Sequence, residues 1–267
     1  MLYKRVISGL LFLPIFYLFV WNLPPIYFTA LVVAAAAVGQ FEFYRMAQAR
    51  GSHPHMVLGI VLGALIVMGF YHPLLPVMGG SSFPVAAGML LIMIARLFSS
   101  RPVDGAIEDV AATFLGVFYV AMLFAFQVAI RNCDNGKQWL VFLYFIIWAS
   151  DIGAYSIGIP FGKRRLYEKV SPKKSIEGFL GALAASSAMA LLCRVWFMPR
   201  MGIGEAIAIA LLLAVVGTIG DLVESLFKRA AGVKDSGDLI PGHGGILDRM
   251  DSMLFAAPVL YYYLRMR

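Results

Sequence analysis

Apolar stretches of about 20 residues, the length a helix needs to cross a bilayer, recur from one end of this chain to the other. They predict helical spans at 6–22, 27–44, 56–71, 82–97, 110–130, 139–159, 178–198, 203–224 and 252–264. Composition agrees. Of 267 residues, 61% are hydrophobic and 14% charged, whereas soluble domains carry about 25% charged residues. The expectation is an all-α integral membrane protein, a polytopic bundle of about nine transmembrane helices. A single membrane domain over 1–267 divides into N-terminal helices, 1–135, and a C-terminal region, 139–267. The opening MLYKRVISGLLFLP has a basic start but no small-residue cleavage site, so it is expected to span rather than be removed. Cys133 and Cys193 stand alone, without spacing for a metal or a disulfide framework.

With nine spans, sixteen of the 22 lysines and arginines fall on one side, six of them in the loop 160–177 and four in 225–251. Basic loops stay inside, which puts the N-terminus and both long loops in the cytoplasm. The same bias accounts for the formal charge of +7, and no nucleic-acid partner is expected.

Against this background, residues 234–251 read KDSGDLIPGHGGILDRMD. Six of the fifteen acidic residues lie between 221 and 251. In GTIGDLVESLFKR (217–229), Asp221, Glu224, Ser225 and Lys228 follow i, i+3, i+4, i+7 spacing and share a helix face. After a Gly-rich loop, Asp248 and Asp251 share another face at i, i+3. Carboxylates from two helices suit a hard cation such as Mg²⁺, which keeps waters and substrate phosphates in its shell. The glycines of PGHGG (241–245) allow backbone N–H groups to approach an anion. Lys228, Arg229, Lys234 and Arg249 add positive charge, and the set suits phosphoryl transfer. A merely solvated loop, with Asp and Arg of DRMD pairing with each other, is the plainer alternative on composition alone.

The stretch SLFKRAAGVKDSGDLIPGHGGILDRMD (225–251) resembles the signature of the phosphatidate cytidylyltransferases, the CDP-diacylglycerol synthases. WASDIGAYSIG (148–158) and SPKKSIEG (171–178) resemble two further segments of that family, with Ser175 where Thr is common. KRVISGLLFLP (4–14) and FEFYRM (41–46) are weaker matches. The resemblance implies a membrane enzyme that joins CTP to phosphatidate with release of pyrophosphate. It also implies Mg²⁺, a second cation such as K⁺, and a homodimer in the bilayer. Its metal-binding carboxylates fall on Asp221 and Asp248, with Asp251 and Asp151 as further candidates. The absence of an N-terminal extension suggests a bacterial protein, hence the cytoplasmic (inner) membrane with the active site facing the cytoplasm.

Asp221, Asp248, Lys228 and Arg249 are the expected catalytic residues. Ser171, Lys173, Lys174, Ser225, Arg229, Lys234, His243, Gly244 and Gly245 are the expected substrate contacts. Ser171 is expected to cap a helix opening at Pro172, placing Lys173 and Lys174 at its anion-attracting end. Ser175 is either a hydrogen-bond donor to substrate or a structural cap, and Glu177 belongs to a helix start. Glu42 is expected to reach toward Arg45 at a span end. A transporter is the rival from another class, but its acids would recur in two halves. A structural scaffold leaves the polar block unexplained. Another CTP-dependent lipid enzyme would differ only in the lipid tail it accepts.

Overall fold

The computed structural model describes residues 16–71, 83–237 and 244–267, so Asp238 and His243 lie outside the described residues. After a π-helical turn at Leu18–Asn22, the helices are α1 (Pro25–Gln48), α2 (Met56–Tyr71), α3 (Phe83–Leu97) and α4 (Ala106–Arg131). α5 (Gly136–Phe161), the short strands β1 (Arg165–Tyr167) and β2 (Ser171–Ser175), α6 (Ile176–Trp196), α7 (Ile203–Ala230) and α8 (Leu247–Met266) follow. Five helices, α1 and α4 to α7, are long and apolar enough to cross a membrane, and α2 and part of α3 are shorter apolar helices. α8 falls outside that group, because Asp248, Arg249 and Asp251 open it and tyrosines crowd its end. Most of the first expected span, 6–22, lies outside the described residues. The chain divides into two compact units, one of residues 1–132 and 230–249, the other of 133–229 and 250–267.

In the first unit, α1 buries a polar seam among apolar helices. Lipid offers no hydrogen bonds, so such groups must find partners within the protein. Gln40 Nε2 donates to the Gly59 carbonyl at 2.8 Å, and the Tyr44 hydroxyl donates to the Thr113 carbonyl at 3.1 Å. Gly59 and Gly116 leave the space that the Tyr44 ring occupies, and α4 widens into a π-helical turn from Gly116 to Ala121 at that level. The α1–α2 connection is tied to α4 through Asp109. Its carboxylate accepts the His53 amide at 2.5 Å and Arg96 Nε at 2.9 Å, both residues of the ion pair being buried.

In the second unit, α5 and α6 run antiparallel with their backbones in near contact. A Cβ on Gly153 would overlap the Gly181 carbonyl, and one on Gly178 would come within 2.9 Å of the Ala154 carbonyl. Small residues permit this approach, which contributes dispersion contacts that apolar lipid does not outcompete. The expected polar loop 160–177 is an antiparallel hairpin, β1 with β2, pairing Arg165 with Ser175 and Tyr167 with Ser171. The hairpin displaces the expected helix start. Residues 171–175 are strand, and α6 begins at Ile176, where the Ser175 Oγ accepts the Gly178 amide at 3.1 Å. Ser171 therefore caps no helix. Glu177 lies in the first turn of α6, and its carboxylate accepts the amides of Lys163 and Arg164 at 3.0 Å and 3.2 Å.

Candidate active site

The C-terminal half of α7 carries the acidic face that the sequence spacing predicts. Ser225 Oγ donates to Asp221 Oδ1 at 3.4 Å, and Lys228 Nζ lies 3.3 Å from Glu224 Oε1. Both bonds join residues four apart on one helix face. The Glu224–Lys228 pair is buried, with Glu224 1% exposed. Lys228, expected as a phosphate clamp, is thus held inside by a carboxylate of its own helix.

Asp221 remains accessible. Lys174, on β2, makes an ion pair with it, and both side chains keep about a quarter of their surface in solvent. Lys173 is exposed one residue earlier on the strand. Arg229 Nε donates to the Val170 carbonyl at 3.4 Å, linking the end of α7 to the turn that precedes β2. The hairpin, rather than a helix N-terminus, is what delivers Lys174 to the acidic face.

α8 brings a second acid to the same face. Gly220 packs so closely on α8 that a Cβ there would lie 2.7 Å from the Asp251 carbonyl. Burial is the main force holding the Asp251 carboxyl well above the usual carboxylate range, and the charge of Asp221 adds to it. A hydrogen bond with Glu224 and the Ser252 amide, with Lys228 nearby, acts in the opposite direction. Two acids near enough to repel, one of them open to water and held by an exchangeable lysine, fit a hard divalent cation by donor chemistry. Among the described residues, no three His, Cys, Asp or Glu side chains gather as one metal-binding group. Asp151 stands exposed on α5 and does not complete such a group with Asp221 and Asp251.

Asp248 belongs to the first unit, and its surroundings differ. Its Oδ2 accepts the Ser236 amide at 2.8 Å, the Gly245 amide at 2.8 Å and lies 2.9 Å from Ser236 Oγ. Gly244 takes a left-handed φ of 76° to close this turn. The amides of Gly245, Ile246 and Leu247 are used by the protein's own carboxylates, Asp248 for the first and Glu42 for the other two. Lys234 and Arg249 are exposed near by in sequence.

Glu42 corrects an expectation. It is 5% exposed and, instead of reaching toward Arg45, it accepts the Ile246 amide at 2.9 Å and the Leu247 amide at 3.0 Å. An acid inside an otherwise apolar helix, FEFYRM, was the available signal. Ser236, which bridges Glu42 and Asp248, had none beyond its place between Asp235 and Gly237.

A profile of the cytidylyltransferase family matches residues 3–267. A phosphatidate cytidylyltransferase of Bacillus subtilis is 32% identical over 262 residues, covering 98% of this chain and 97% of the relative. One from Synechocystis is 34% identical, with coverage of 89% and 88%. A Staphylococcus epidermidis phosphatidate cytidylyltransferase is 41% identical over 152 residues, 57% of this chain and 58% of the relative. With its acidic face on α7, the lysines of β2 and a profile match from end to end, the chain belongs to the cytidylyltransferase family.

Proposed function

We propose that this protein is a phosphatidate cytidylyltransferase, a nucleotidyltransferase of phospholipid synthesis that converts CTP and phosphatidate into CDP-diacylglycerol and pyrophosphate. The similarity to phosphatidate cytidylyltransferases along almost the whole chain supports the reaction. Within the protein, the observation that carries the reading is the Lys174–Asp221 pair with Asp251 beside it.

A phosphatidate oxygen attacks the α-phosphorus of CTP, a new P–O bond forms, and the bond to the β-phosphate breaks to release pyrophosphate. A phosphate monoester, with a second pKa of about 6, is largely ionised at neutral pH and requires no strong base. The chain's task is positioning and charge compensation. Lys173 and Lys174 on the hairpin, with Arg229 and Arg249, supply cations for the phosphates. Ser225, Lys234, Gly244, Gly245 and His243 are the further substrate contacts we assign. Mg²⁺, when bound, neutralises triphosphate charge. Asp221 and Asp248 are the carboxylates that would hold it, with Asp251 next and Asp151 the more remote candidate, and K⁺ is the proposed second ion.

We further propose about nine spans, a homodimer in the bilayer, and an active site facing the cytoplasm from a bacterial inner membrane. The sixteen basic residues on one side support the orientation. The test is purified full-length protein with phosphatidate and radiolabelled CTP, with and without Mg²⁺, beside Asp221→Asn and Asp248→Asn. The proposal expects labelled CDP-diacylglycerol only with lipid, metal and both acids present. A folded wild-type protein that leaves CTP untouched with several phosphatidate species would overturn it.

A further inference from the structure

Glu42 belongs to α1, almost two hundred residues before the acidic signature, yet its carboxylate is built into the signature's fold. Oε1 accepts the Ile246 amide at 2.9 Å, while Oε2 accepts the Leu247 amide at 3.0 Å and lies 3.1 Å from Ser236 Oγ. Ile246 and Leu247 are the last residue before α8 and the first within it, so their amides have no partner within the helix. Glu42 therefore caps α8 from another helix, and the positive end of the α8 dipole meets a negative group.

The surrounding backbone is shaped to admit that carboxylate. A Cβ on Gly245 would overlap both Ser236 Oγ and the Glu42 carboxylate, and one on Gly237 would lie 3.0 Å from Glu42 Oε1. Ser236 also touches Asp248 Oδ2, through its hydroxyl at 2.9 Å and its amide at 2.8 Å. Three residues thus form a chain: Glu42, Ser236, Asp248.

We propose that Glu42 is a positioning residue that sets the side chain of Asp248 by capping α8 and holding Ser236. The proposal rests on the reading of Asp248 as a ligand-holding acid of the cytidylyltransferase reaction. The chemistry requires a carboxylate specifically, since two amides are accepted by two different oxygens. A Gln of equal volume would turn one acceptor into a donor facing an N–H group. A residue that only filled space would tolerate that change.

The test compares full-length wild type, Glu42→Gln, Glu42→Asp and Gly245→Ala by hydrogen–deuterium exchange and by CTP turnover. Glu42→Gln is expected to speed exchange at the Ile246 and Leu247 amides by about tenfold or more, as loss of a charge-assisted bond implies. Peptides of α4 keep their protection. In the same variant kcat falls by at least about tenfold while KM for CTP stays within about twofold, because Asp248 is displaced without loss of nucleotide contacts. Gly245→Ala, whose methyl displaces the Glu42 carboxylate, gives the same faster exchange at 246 and 247. Glu42→Asp, which retains two acceptors, recovers part of both losses of Glu42→Gln.

Three results overturn the proposal: unchanged exchange at 246 and 247 in Glu42→Gln, loss of protection spread equally through α4, or faster local exchange with kcat intact. A protected wild type that makes no CDP-diacylglycerol refutes the assigned reaction instead. The exchange comparison then decides the capping role by itself.

Discussion

Replacing Lys174 by Met separates what the Lys174–Asp221 pair does for the fold from what it does for the reaction. Methionine keeps the length and apolar stem of lysine and removes only the charge. In the unperturbed protein the two side chains are 25% and 29% exposed, so water already screens their attraction. Pairs with this much solvent contribute about 0.2–1 kcal/mol to stability. For a chain of this size that is a fall in Tm of roughly 2–4 °C or less. Asp221 does not become a buried orphan, because it retains the Ser225 hydroxyl at 3.4 Å and its access to water.

Catalysis should respond far more strongly. A cation aimed at charge that develops on the phosphates is typically worth about 10²–10³ in rate. Lys174→Met is therefore expected to lower kcat/KM for CTP by about two orders of magnitude with Tm almost unchanged. Lys174→Arg restores charge but presents a planar fork, so it should recover only part of the activity. Thermal unfolding in detergent and turnover of labelled CTP provide the two readouts. A Tm drop of more than about 8 °C would place the pair in the structural framework instead. Turnover within about threefold of wild type would remove Lys174 from the reaction altogether.

Three other perturbations follow from buried features. Asp109→Ala leaves Arg96 buried without its carboxylate and frees the His53 amide. It should cost about 3–5 kcal/mol, read as a shift in the unfolding midpoint. Gly153→Ala drives a methyl into the Gly181 carbonyl and should cost about 1–3 kcal/mol, whereas Ala at Gly204, where nothing lies near the new methyl, should be close to neutral. Burial first, then Arg101 and Arg96, hold His55 below its usual 6.5, against an opposing pull from Asp109. The unfolded chain then takes up this proton first. The stability that His55 contributes is complete above pH 6.5 and is lost as pH falls toward its lower folded pKa, and His55→Gln should flatten Tm against pH there.

The apolar helices were legible because lipid imposes a length and a composition on each of them separately, and five of them are long and apolar enough to cross a membrane. Eight of the nine expected segments, from 27–44 to 252–264, coincide with helices, within a few residues at most ends. The acidic face of α7 was legible for the same reason: spacing on one helix is local. What the sequence concealed depends on distant pairing. SPKK carries a plausible helix-start pattern, yet pairing of β2 with β1 takes residues 171–175 into a strand and leaves Ser175 as the cap. Glu42 was assigned to Arg45, its neighbour on the chain, because nothing local reveals that Ile246 and Leu247 supply its partners. Asp151 sits in an apolar segment of the sequence and is exposed on α5; hydrophobic flanks in a membrane protein do not distinguish a packed face from an exposed one.

Asp221 and Asp248, alike on the chain as the two acids expected to hold a metal, are held by opposite means. Asp221 is partnered by a flexible ammonium and a hydroxyl, both of which can be exchanged for other ligands at small cost. Asp248 has one oxygen fixed by two backbone amides and a serine, a set that cannot leave without unmaking the turn before α8. Substitutions around the first should therefore act on ligand affinity and leave the fold alone. Those around the second should act on local order before they act on affinity. The same physics explains the glycines at 244 and 245. Backbone can approach two carboxylates this closely only where no side chain intervenes, so the Gly-rich character of the signature serves the placement of Asp248 as directly as it would serve a phosphate.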